Sequence, residues 1–381
     1  MKKLFQLHIN TNRIYGLDIL RCVAILCVVV EHSLGVLPHS VSTFLNFLVF
    51  DGVSIFFVLS GFLIGGIFIK EFEKKSITPK TLVHFWQRRW YRTLPNYLLI
   101  LVILTVLNLL FTRYFTLSNV YSYFIFSQNL FTPHPGFFPE AWSLSIEEWF
   151  YLLIPVIILM MVSLIGIATK RSIIYTAILV IVLVTAFRLY RYFEIPLHTY
   201  KEWDIHFRKQ VFTRLDSLMY GVIGAYVAYH YKAIWLKYKT PLLLIGLALL
   251  IIPKFLISDY STIYFTVFST SANAVATLLL LPYLNELKEG RGRIYKTITY
   301  VSLISYSMYL INLSIVRHWI IGNMDLSNVN IYLAIIIKFA LFWTFTIVLS
   351  ILLYKYFEIP TTRLRDKKRV AGANRGFAKA A

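Results

Sequence analysis

The sequence predicts an all-α protein, a polytopic membrane bundle of about ten transmembrane helices. Of the 381 residues, 58% are hydrophobic and only 15% are charged, whereas a soluble globular chain has roughly 25% charged residues. The mean hydropathy is +0.67. Long apolar runs, such as 97–110 and 242–252, alternate with short polar gaps, which is typical of helices that cross a bilayer. These observations exclude a water-soluble enzyme and a secreted disulfide scaffold.

The apolar runs end at proline, glycine, asparagine or charged clusters, and these limits define the spans in order. We predict spans at 17–37, 46–69, 94–112, 142–165, 172–190, 211–230, 241–257, 262–284, 298–320 and 331–354. If the amino terminus is cytoplasmic, the inward gaps hold 27 Lys and Arg residues, whereas the outward gaps and the outer ends of the spans together hold 8. Because cytoplasmic loops are enriched in basic residues, both termini are predicted to be cytoplasmic.

A net charge of +20 is also typical of proteins that bind nucleic acid. Here, however, the basic residues lie in short gaps between apolar runs, as orienting charges do. Nucleic acid is therefore not expected as a partner, whereas the lipid bilayer is. We predict one integral-membrane domain at 1–365 and a disordered, basic and Ala-rich cytoplasmic tail at 366–381. No metal site is predicted.

The first span carries ionisable residues, which are costly in a membrane and are usually functional. Arg21 and His32 are eleven residues apart, hence about 20° apart around a helix and about 16 Å apart along it. Asp18 falls within about 60° of both, so the three side chains can share a face toward the bundle. Histidine can act as a general base near neutral pH, and arginine can hold an anion. Alternatively, each residue lies at a membrane interface with its charged end in water.

Residues 84–95, HFWQRRWYRTLP, interleave arginines with aromatic residues. In a helix, Arg89 and Arg92 are i,i+3 neighbours that could grip a phosphate-bearing ligand, while Trp86 and Trp90 could stack on a base. The alternative is a basic and aromatic anchor at the membrane surface. The composition of the segment leaves both interpretations open.

The fourth span begins with AWSLSIEEWFYLLIP and carries two adjacent glutamates. Glu147 shares a helical face with Phe150 and Tyr151, so it can enter the bundle while Glu148 faces the membrane interface. The alternative is a capping role, because the positive end of the helix dipole favours acidic residues near a helix start. Other polar residues in apolar surroundings are Arg214, Asp216, Ser305, Tyr306, Ser307, Tyr309 and Asn312.

Six segments, taken in order, resemble the integral-membrane acyltransferase-3 family, whose members transfer acyl groups to extracytoplasmic carbohydrates and related acceptors. They are GLDILRCVAILCVVVEHS at 16–33, GVSIFFVLSGFLIG at 52–65, RRWYRTLPNY at 88–97, WSLSIEEWFYLLIP at 142–155, RLDSLMYGVIGAY at 214–226 and ISYSMYLIN at 304–312. The resemblance covers about residues 15–365. Each motif alone is degenerate, but six in order are specific.

The resemblance implies roles for particular positions. His32 would be the catalytic base and Arg21 its essential partner, with Asp18 and Glu147 as further site residues. The residues that would bind the phosphates of acyl-CoA at the cytoplasmic face are Arg88, Arg89 and Arg92. The residues that would serve the acceptor are Arg214, Asp216, Tyr306, Ser307 and Asn312.

Two positions depart from the family pattern. Ser54 stands where many members have Asp, and Asn312 stands where many have His. We expect neither residue to touch the pair formed by Arg21 and His32. The catalytic assignment is therefore kept, and a difference is expected only in the handling of the acceptor.

The resemblance implies a membrane O-acyltransferase, and more narrowly an O-acetyltransferase. It would move an acyl group from cytoplasmic acyl-CoA, with acetyl-CoA as the expected co-substrate, to a hydroxyl of an extracytoplasmic carbohydrate such as a surface polysaccharide or glycolipid. The expected location is the bacterial inner membrane. One alternative is a transporter or flippase of a glycan or lipid-linked substrate, with the charges of span one along a pathway. Another is a different class of membrane acyltransferase that uses His and Asn, which would not need the paired arginines.

Overall fold

The computed structural model describes residues 13–73, 77–256 and 260–364. Within these ranges all regular secondary structure is helical. The predicted all-α fold class is thus confirmed for the described part of the chain. The tail predicted at 366–381 lies outside the described residues.

The chain forms fifteen α-helices within the described ranges, most of them joined by short connections. In order they are α1 (Tyr15–Ser33), α2 (His39–Leu48), α3 (Gly52–Ile67), α4 (Pro79–Phe111), α5 (Ser118–Phe124), α6 (Ala141–Ser163), α7 (Thr169–Glu194), α8 (Tyr200–Trp203), α9 (Asp216–His230), α10 (Lys232–Lys237), α11 (Lys239–Ile251), α12 (Pro253–Leu256), α13 (Ser269–Leu284), α14 (Gly292–Ile311) and α15 (Ile331–Leu353). Segments of π-helix adjoin several of them, at Phe68–Glu73, Asp204–Arg208, Tyr264–Phe268, Asn312–Ile321 and Tyr354–Glu358.

Nine helical stretches of the described residues are long and apolar enough to cross a membrane. They are Tyr15–Val36, His39–Glu73, Pro79–Phe111, Ala141–Ser163, Thr169–Glu194, Lys239–Leu256, Tyr264–Leu284, Gly292–Ile321 and Ile331–Leu364. The remaining predicted span, 211–230, forms a shorter helix than expected. A 3₁₀ turn at Val211–Thr213 interrupts its start, and the α-helical part is α9. α9 has 15 residues, fewer than the ~20 that a helix needs to span a bilayer. Its length is about 22 Å.

Helices α3 and α9 pack with their backbones in contact at glycines. A Cβ on Gly61 would lie 1.9 Å from the carbonyl oxygen of Leu218, and a Cβ on Gly221 would lie 2.1 Å from that of Val58. Small residues at a crossing of membrane helices allow this close approach. This close packing holds α3 against α9. Ser60 of α3 lies on the interior of the bundle, where it lines a cavity.

Helix α1 lies between α3 and α14. Ala24, Ile25 and Val29 are fully buried in this position, and a Cβ on Gly52 of α3 would lie 2.3 Å from the carbonyl oxygen of Ala24. Because α1 is packed between two helices, its ionisable residues contact protein rather than lipid alone. Asp18, for example, is only 2% exposed.

The connection between α7 and α9 is held by ion pairs around Asp204. Arg208 Nη1 donates a hydrogen bond to Asp204 Oδ1 at 2.9 Å, and Lys209 forms an ion pair with the same carboxylate. Burial by itself would raise the pKa of Asp204, but the two cations hold that pKa below its ordinary value of 3.8. The ionised carboxylate therefore stabilises this turn.

Candidate active site

A cavity of about 640 Å³ lies inside the bundle, between α1, α3, α4, α6 and α14. Its polar lining includes Ser60, Glu147 and Tyr306 and the three arginines Arg21, Arg89 and Arg92. We name it the arginine cavity. Arg13, which precedes α1, and Arg363, which follows α15, also line it, so the two ends of the described bundle meet at one face.

Helix α4 supplies two of the cavity arginines because it runs unbroken from Pro79 to Phe111. Thr78 caps its start by accepting a hydrogen bond from the backbone nitrogen of Thr81 at 3.3 Å. Arg89 and Arg92 are one turn apart and both line the cavity. Arg89 Nε is buried and has no hydrogen-bond partner among the described residues. It is therefore available to an anionic ligand.

Arg88 does not line the arginine cavity. Its guanidinium forms an ion pair with Glu71, and its side chain is 39% exposed. Trp86 and Trp90 stack on each other with ring centroids 6.2 Å apart, and Trp86 Nε1 donates to the carbonyl oxygen of Tyr151 at 2.9 Å. The structure thus separates Arg88 from the two cavity arginines and engages the tryptophans in packing.

The two adjacent glutamates of α6 have different surroundings. Glu147 lines the cavity and accepts hydrogen bonds from Ser60 Oγ and from the hydroxyl of Tyr151, the latter at 2.8 Å. Glu148 is 8% exposed and accepts from Thr93 Oγ1 at 2.7 Å, so the expectation that it faces the membrane interface is wrong. Neither glutamate lies in the first turn of α6, because the helix starts more than a turn earlier. The alternative capping role is therefore also wrong.

Asp18 holds two arginines of the cavity in place. Its carboxylate accepts hydrogen bonds from Arg13 Nε at 2.9 Å and from Ser302 Oγ of α14 at 2.7 Å. Arg21 Nη1 lies 3.7 Å from Asp18 Oδ1. Asp18 itself does not line the cavity, so it acts on the cavity through these arginines.

His32 lies in the last turn of α1, about 16 Å along the axis from Arg21, and does not line the arginine cavity. Its Nδ1 contacts Oδ1 of Asn312. The amide nitrogen of Asn312 donates to the carbonyl oxygens of Met308 at 2.8 Å and Tyr309 at 3.0 Å, so Oδ1 is the acceptor and His32 Nδ1 the donor. This network assigns neutral His32 to the Nδ1–H tautomer, with Nε2 able to accept a proton.

This contact shows that one expectation is wrong, because Asn312 does touch a member of the Arg21 and His32 pair. Tyr309 lines the arginine cavity and precedes Asn312 by three residues, which is about 4.5 Å of helix. The pair formed by His32 and Asn312 therefore lies about one helical turn beyond the Tyr309 end of the cavity. The structure brings Arg21, Arg89 and Glu147 together in the lining and places His32 outside it, beyond the Tyr309 end of the cavity.

Glu140 is a residue of this region that sequence reasoning missed. It is 1% exposed and accepts hydrogen bonds from the backbone nitrogens of Leu313 at 3.2 Å and Ser314 at 2.7 Å, and from Ser314 Oγ. These residues directly follow Asn312, so Glu140 fixes the start of the π-helical segment that carries Asn312. A glutamate beside a helix start indicates only a cap for its own helix, and no sequence signal pointed to the segment that follows α14.

The end of the last helix supplies a second carboxylate that was missed. Glu358 lines the cavity and accepts hydrogen bonds from Ser307 Oγ at 2.7 Å and Asn96 Nδ2 at 3.0 Å. Tyr306 also lines the cavity, and its hydroxyl donates to the carbonyl oxygen of Thr93 at 2.7 Å. Ser307 does not line it. The predicted end of the last span at 354 excluded Glu358, whereas the helix continues past it.

Arg214 and Asp216 lie away from the arginine cavity, in a fully buried network. Asp216 accepts hydrogen bonds from Arg188 Nη2 at 2.6 Å and from Ser271 Oγ at 2.8 Å. Arg214 Nη2 donates to Ser54 Oγ at 2.8 Å. These contacts join α3, α7, α9 and α13, so the structure places the two residues in helix packing.

Comparison with known proteins gives the chain a family and several bacterial relatives. A model of the acyltransferase-3 family, described as an acyltransferase domain, matches residues 14–355. A protein of Staphylococcus aureus (strain COL), provisionally named an O-acetyltransferase, is 30% identical over 227 residues, which are 56% of this chain and 34% of that protein. The peptidoglycan O-acetyltransferase OatA of Listeria monocytogenes is 33% identical over 126 residues, 29% of this chain and 20% of that protein. The O-acetyltransferase OatA of Staphylococcus aureus (strain NCTC 8325) is 31% identical over 161 residues, 38% of this chain and 24% of that protein.

The matched part of this chain spans at most about a third of the length of these relatives. No solved structure matches the chain. The family model, by contrast, covers α1 to α15 without interruption. With its apolar helices, the protein is an integral membrane protein. The chain belongs to the acyltransferase-3 family.

Proposed function

We propose that the protein is a membrane O-acetyltransferase that moves an acetyl group from cytoplasmic acetyl-CoA to a hydroxyl of an extracytoplasmic carbohydrate. The family and the names of the relatives support the class of reaction. The observation that carries the proposal is the arginine cavity, with Arg89 and Arg92 in its wall and with His32 and Asn312 one helical turn beyond it.

The arginine cavity suits the phosphate groups of a coenzyme A thioester. Its lining holds five arginines and two glutamates, so cations are in excess. Arginine forms bidentate, charge-assisted hydrogen bonds with phosphate oxygens. The unpartnered Nε of Arg89 supplies one donor for such a bond. Arg88, which is paired with Glu71, is left out of the proposed donor site.

The face of the bundle that carries Arg13 and Arg363 is proposed to be cytoplasmic. The excess of Lys and Arg in the gaps on this side supports that orientation, and it places both termini inside. The acyl donor then enters the arginine cavity from the cytoplasm. The proposed location is the bacterial cytoplasmic (inner) membrane. The proposed acceptor is a cell-envelope glycan or glycolipid, since one bacterial relative is named a peptidoglycan O-acetyltransferase.

His32 is the proposed general base. Its Nε2 takes the proton of the acceptor hydroxyl while the hydroxyl oxygen attacks the thioester carbonyl carbon. The tetrahedral intermediate then collapses, the carbon–sulfur bond breaks, and the thiolate of coenzyme A receives the proton. Asn312 accepts the hydrogen bond from Nδ1, which fixes the ring and favours the tautomer with a basic Nε2. No acylated enzyme residue is required.

Donor and acceptor approach from opposite sides of the membrane in this mechanism. The phosphates would stay with Arg89 and Arg92, and the thioester arm would extend along the cavity past Tyr309, which lines it. Tyr309 is about one helical turn from Asn312. The reacting carbonyl would therefore reach His32 at the end of α1, where an acceptor can approach from the outside.

The test is release of coenzyme A thiol from acetyl-CoA by the purified protein in detergent, with and without a pool of cell-envelope glycans. We expect glycan-dependent release by the wild type and its loss in His32→Ala. The matched control is His39→Ala, because His39 is exposed at the start of α2 and should retain activity.

Two results would count against the proposal. Absence of glycan-dependent release with acetyl-CoA and with other short acyl-CoA thioesters would reject acyl transfer and favour the transporter. Full activity of His32→Ala would leave the reaction class in place but remove His32 from the role of base.

A further inference from the structure

A second cavity, of about 730 Å³, lies beside the carboxyl end of α1. It is bounded by the turn Leu34–Val36, the π-helical segment Asn312–Ile321, the connection at 322–330 and the first turns of α15. It therefore adjoins the end of α1 that carries His32. The mechanism proposed above uses none of its residues.

Lys338 lines this second cavity from inside a membrane helix. It is the eighth residue of α15, about 10 Å from the helix start, and is half-buried. No carboxylate of the described residues forms an ion pair with it. Because a charge within an apolar span is costly, such a residue is by default a candidate for function.

Arg317 brings a second cation to the same cavity. Its Nη1 donates a hydrogen bond to the backbone carbonyl oxygen of His32 at 2.6 Å. Its Nη2 lies against Gly35, where a Cβ would be only 1.9 Å from that nitrogen. The glycine thus makes room for the guanidinium, and the hydrogen bond ties the cavity to the residue proposed as the base.

One carboxylate, Asp325, also lines the second cavity. It accepts a hydrogen bond from the backbone nitrogen of Ser327 at 2.9 Å and is exposed to solvent. It forms no ion pair with Lys338 or Arg317. Lys338 acts electrostatically on Asp325, but neither Lys338 nor Arg317 is held in an ion pair by a described residue, so both keep hydrogen-bond donors for an external anion.

We propose that the second cavity binds an anionic group of the acceptor, a phosphate or a carboxylate, between Lys338 and Arg317. The inference rests on the proposed function, because it assigns the acceptor to an acidic glycan or a phosphate-linked glycolipid. Anchoring the charge one turn from His32 would present a neighbouring hydroxyl to Nε2. Charge-assisted hydrogen bonds from two cations give such a site selectivity for anions over neutral sugars.

The test is calorimetric titration of the purified protein in detergent at low ionic strength, with coenzyme A saturating. The probes are inorganic pyrophosphate, D-glucuronate and neutral glucose. We expect one or both anions to bind and glucose not to bind. We expect Lys338→Met, which keeps the length and apolar stem of the side chain, to raise the Kd at least about tenfold. Arg317→Gln should raise it similarly.

Two control variants separate the second cavity from other cationic sites. Lys201→Met removes an exposed lysine that lines neither cavity and should leave the Kd unchanged. Lys232→Met removes a second exposed lysine, at the start of α10, that also lines neither cavity, and it should likewise leave the Kd unchanged. Binding of pyrophosphate alone would indicate a phosphate-linked acceptor, and binding of glucuronate alone would indicate an acidic sugar.

The proposal is overturned if neither anion binds, if glucose binds as well as the anions, or if Lys338→Met binds them like the wild type. The titration does not depend on acyl transfer. Anion binding without any release of coenzyme A would therefore reject the proposed function and leave the anion site standing. Glycan-dependent release of coenzyme A without anion binding would support the proposed function and overturn the anion site.

Discussion

Replacing single arginines of α4 distinguishes a phosphate site from a membrane anchor. The three arginines are close in sequence, but only Arg89 and Arg92 line the arginine cavity. Arg88 is paired with Glu71 and 39% exposed, so Arg88→Ala removes a charge of the same kind from the same helix. An electrostatic anchor would respond similarly to all three changes, whereas a phosphate site responds to two of them.

The expected magnitudes follow from the surroundings of each guanidinium. A hydrogen bond to a charged group contributes about 1.5–3 kcal/mol, which corresponds to about a 10- to 150-fold change in affinity. We expect Arg89→Ala to approach the upper limit, because Arg89 Nε is buried without a partner among the described residues. Arg92 is exposed, so Arg92→Ala should raise the KM for acetyl-CoA about tenfold. Arg88→Ala should change it less than about fivefold, as for a surface ion pair.

The assay is the initial rate of thiol release over a range of acetyl-CoA concentrations, repeated with acetylpantetheine, which lacks phosphates. The Arg89 and Arg92 variants should lose affinity for acetyl-CoA but not for acetylpantetheine. A KM that rises equally for both donors would refute phosphate binding and indicate a general disturbance of the bundle. An effect of Arg88→Ala as large as that of Arg92→Ala would support the anchor.

Three further predictions concern the base, the buried network and the turn around Asp204. Asn312→Ala removes the acceptor of His32 Nδ1 and should lower kcat about tenfold, or ~1.4 kcal/mol on the barrier, with the KM for acetyl-CoA unchanged; a change in KM alone would contradict the role. Asp216→Asn leaves the fully buried Arg188 uncompensated and should lower the free energy of unfolding in detergent by about 3–5 kcal/mol. Adding Arg188→Met should recover part of this loss, and a double variant no more stable than the single one would count against the pairing. The pKa of Asp204 is held below its ordinary value, so its contribution to stability is present above about pH 4 and lost as the pH falls through the folded-state pKa. The loss of thermal stability in Asp204→Asn should thus be full at about pH 7 and shrink toward about pH 3, and an equal loss at both would refute this account.

Periodicity and charge were enough to predict the bundle and several polar residues of the cavity wall. Hydropathy located nine of the spans because each is long and apolar. Helical spacing placed Arg89 and Arg92 on one face, since they belong to one unbroken helix. The same reasoning allowed Glu147 to enter the interior but left a capping role open as the alternative. These predictions depend on geometry within one helix, which the sequence encodes directly.

The remaining features depend on contacts between distant segments. Glu140 accepts hydrogen bonds from backbone nitrogens of the π-helical segment Asn312–Ile321, 173 and 174 positions away, and Asn312 contacts His32 across 280 positions. No pattern of spacing in one chain reports such a pair. Glu358 was missed for another reason, because a charged stretch ended the predicted span at 354 although the backbone remains helical.

The excess of arginine in the cavity bears on how strongly free coenzyme A would inhibit the protein. Arg89 and Arg92 would hold phosphates, which spent coenzyme A carries as well as its acetyl thioester. The two arginines would bind the phosphates of the substrate and of the product equally well, so this binding does not favour the transition state. Spent coenzyme A would therefore compete with the donor on nearly equal terms. For the proposed donor site, the rate of acetylation would therefore follow the ratio of acetyl-CoA to coenzyme A rather than the concentration of acetyl-CoA alone.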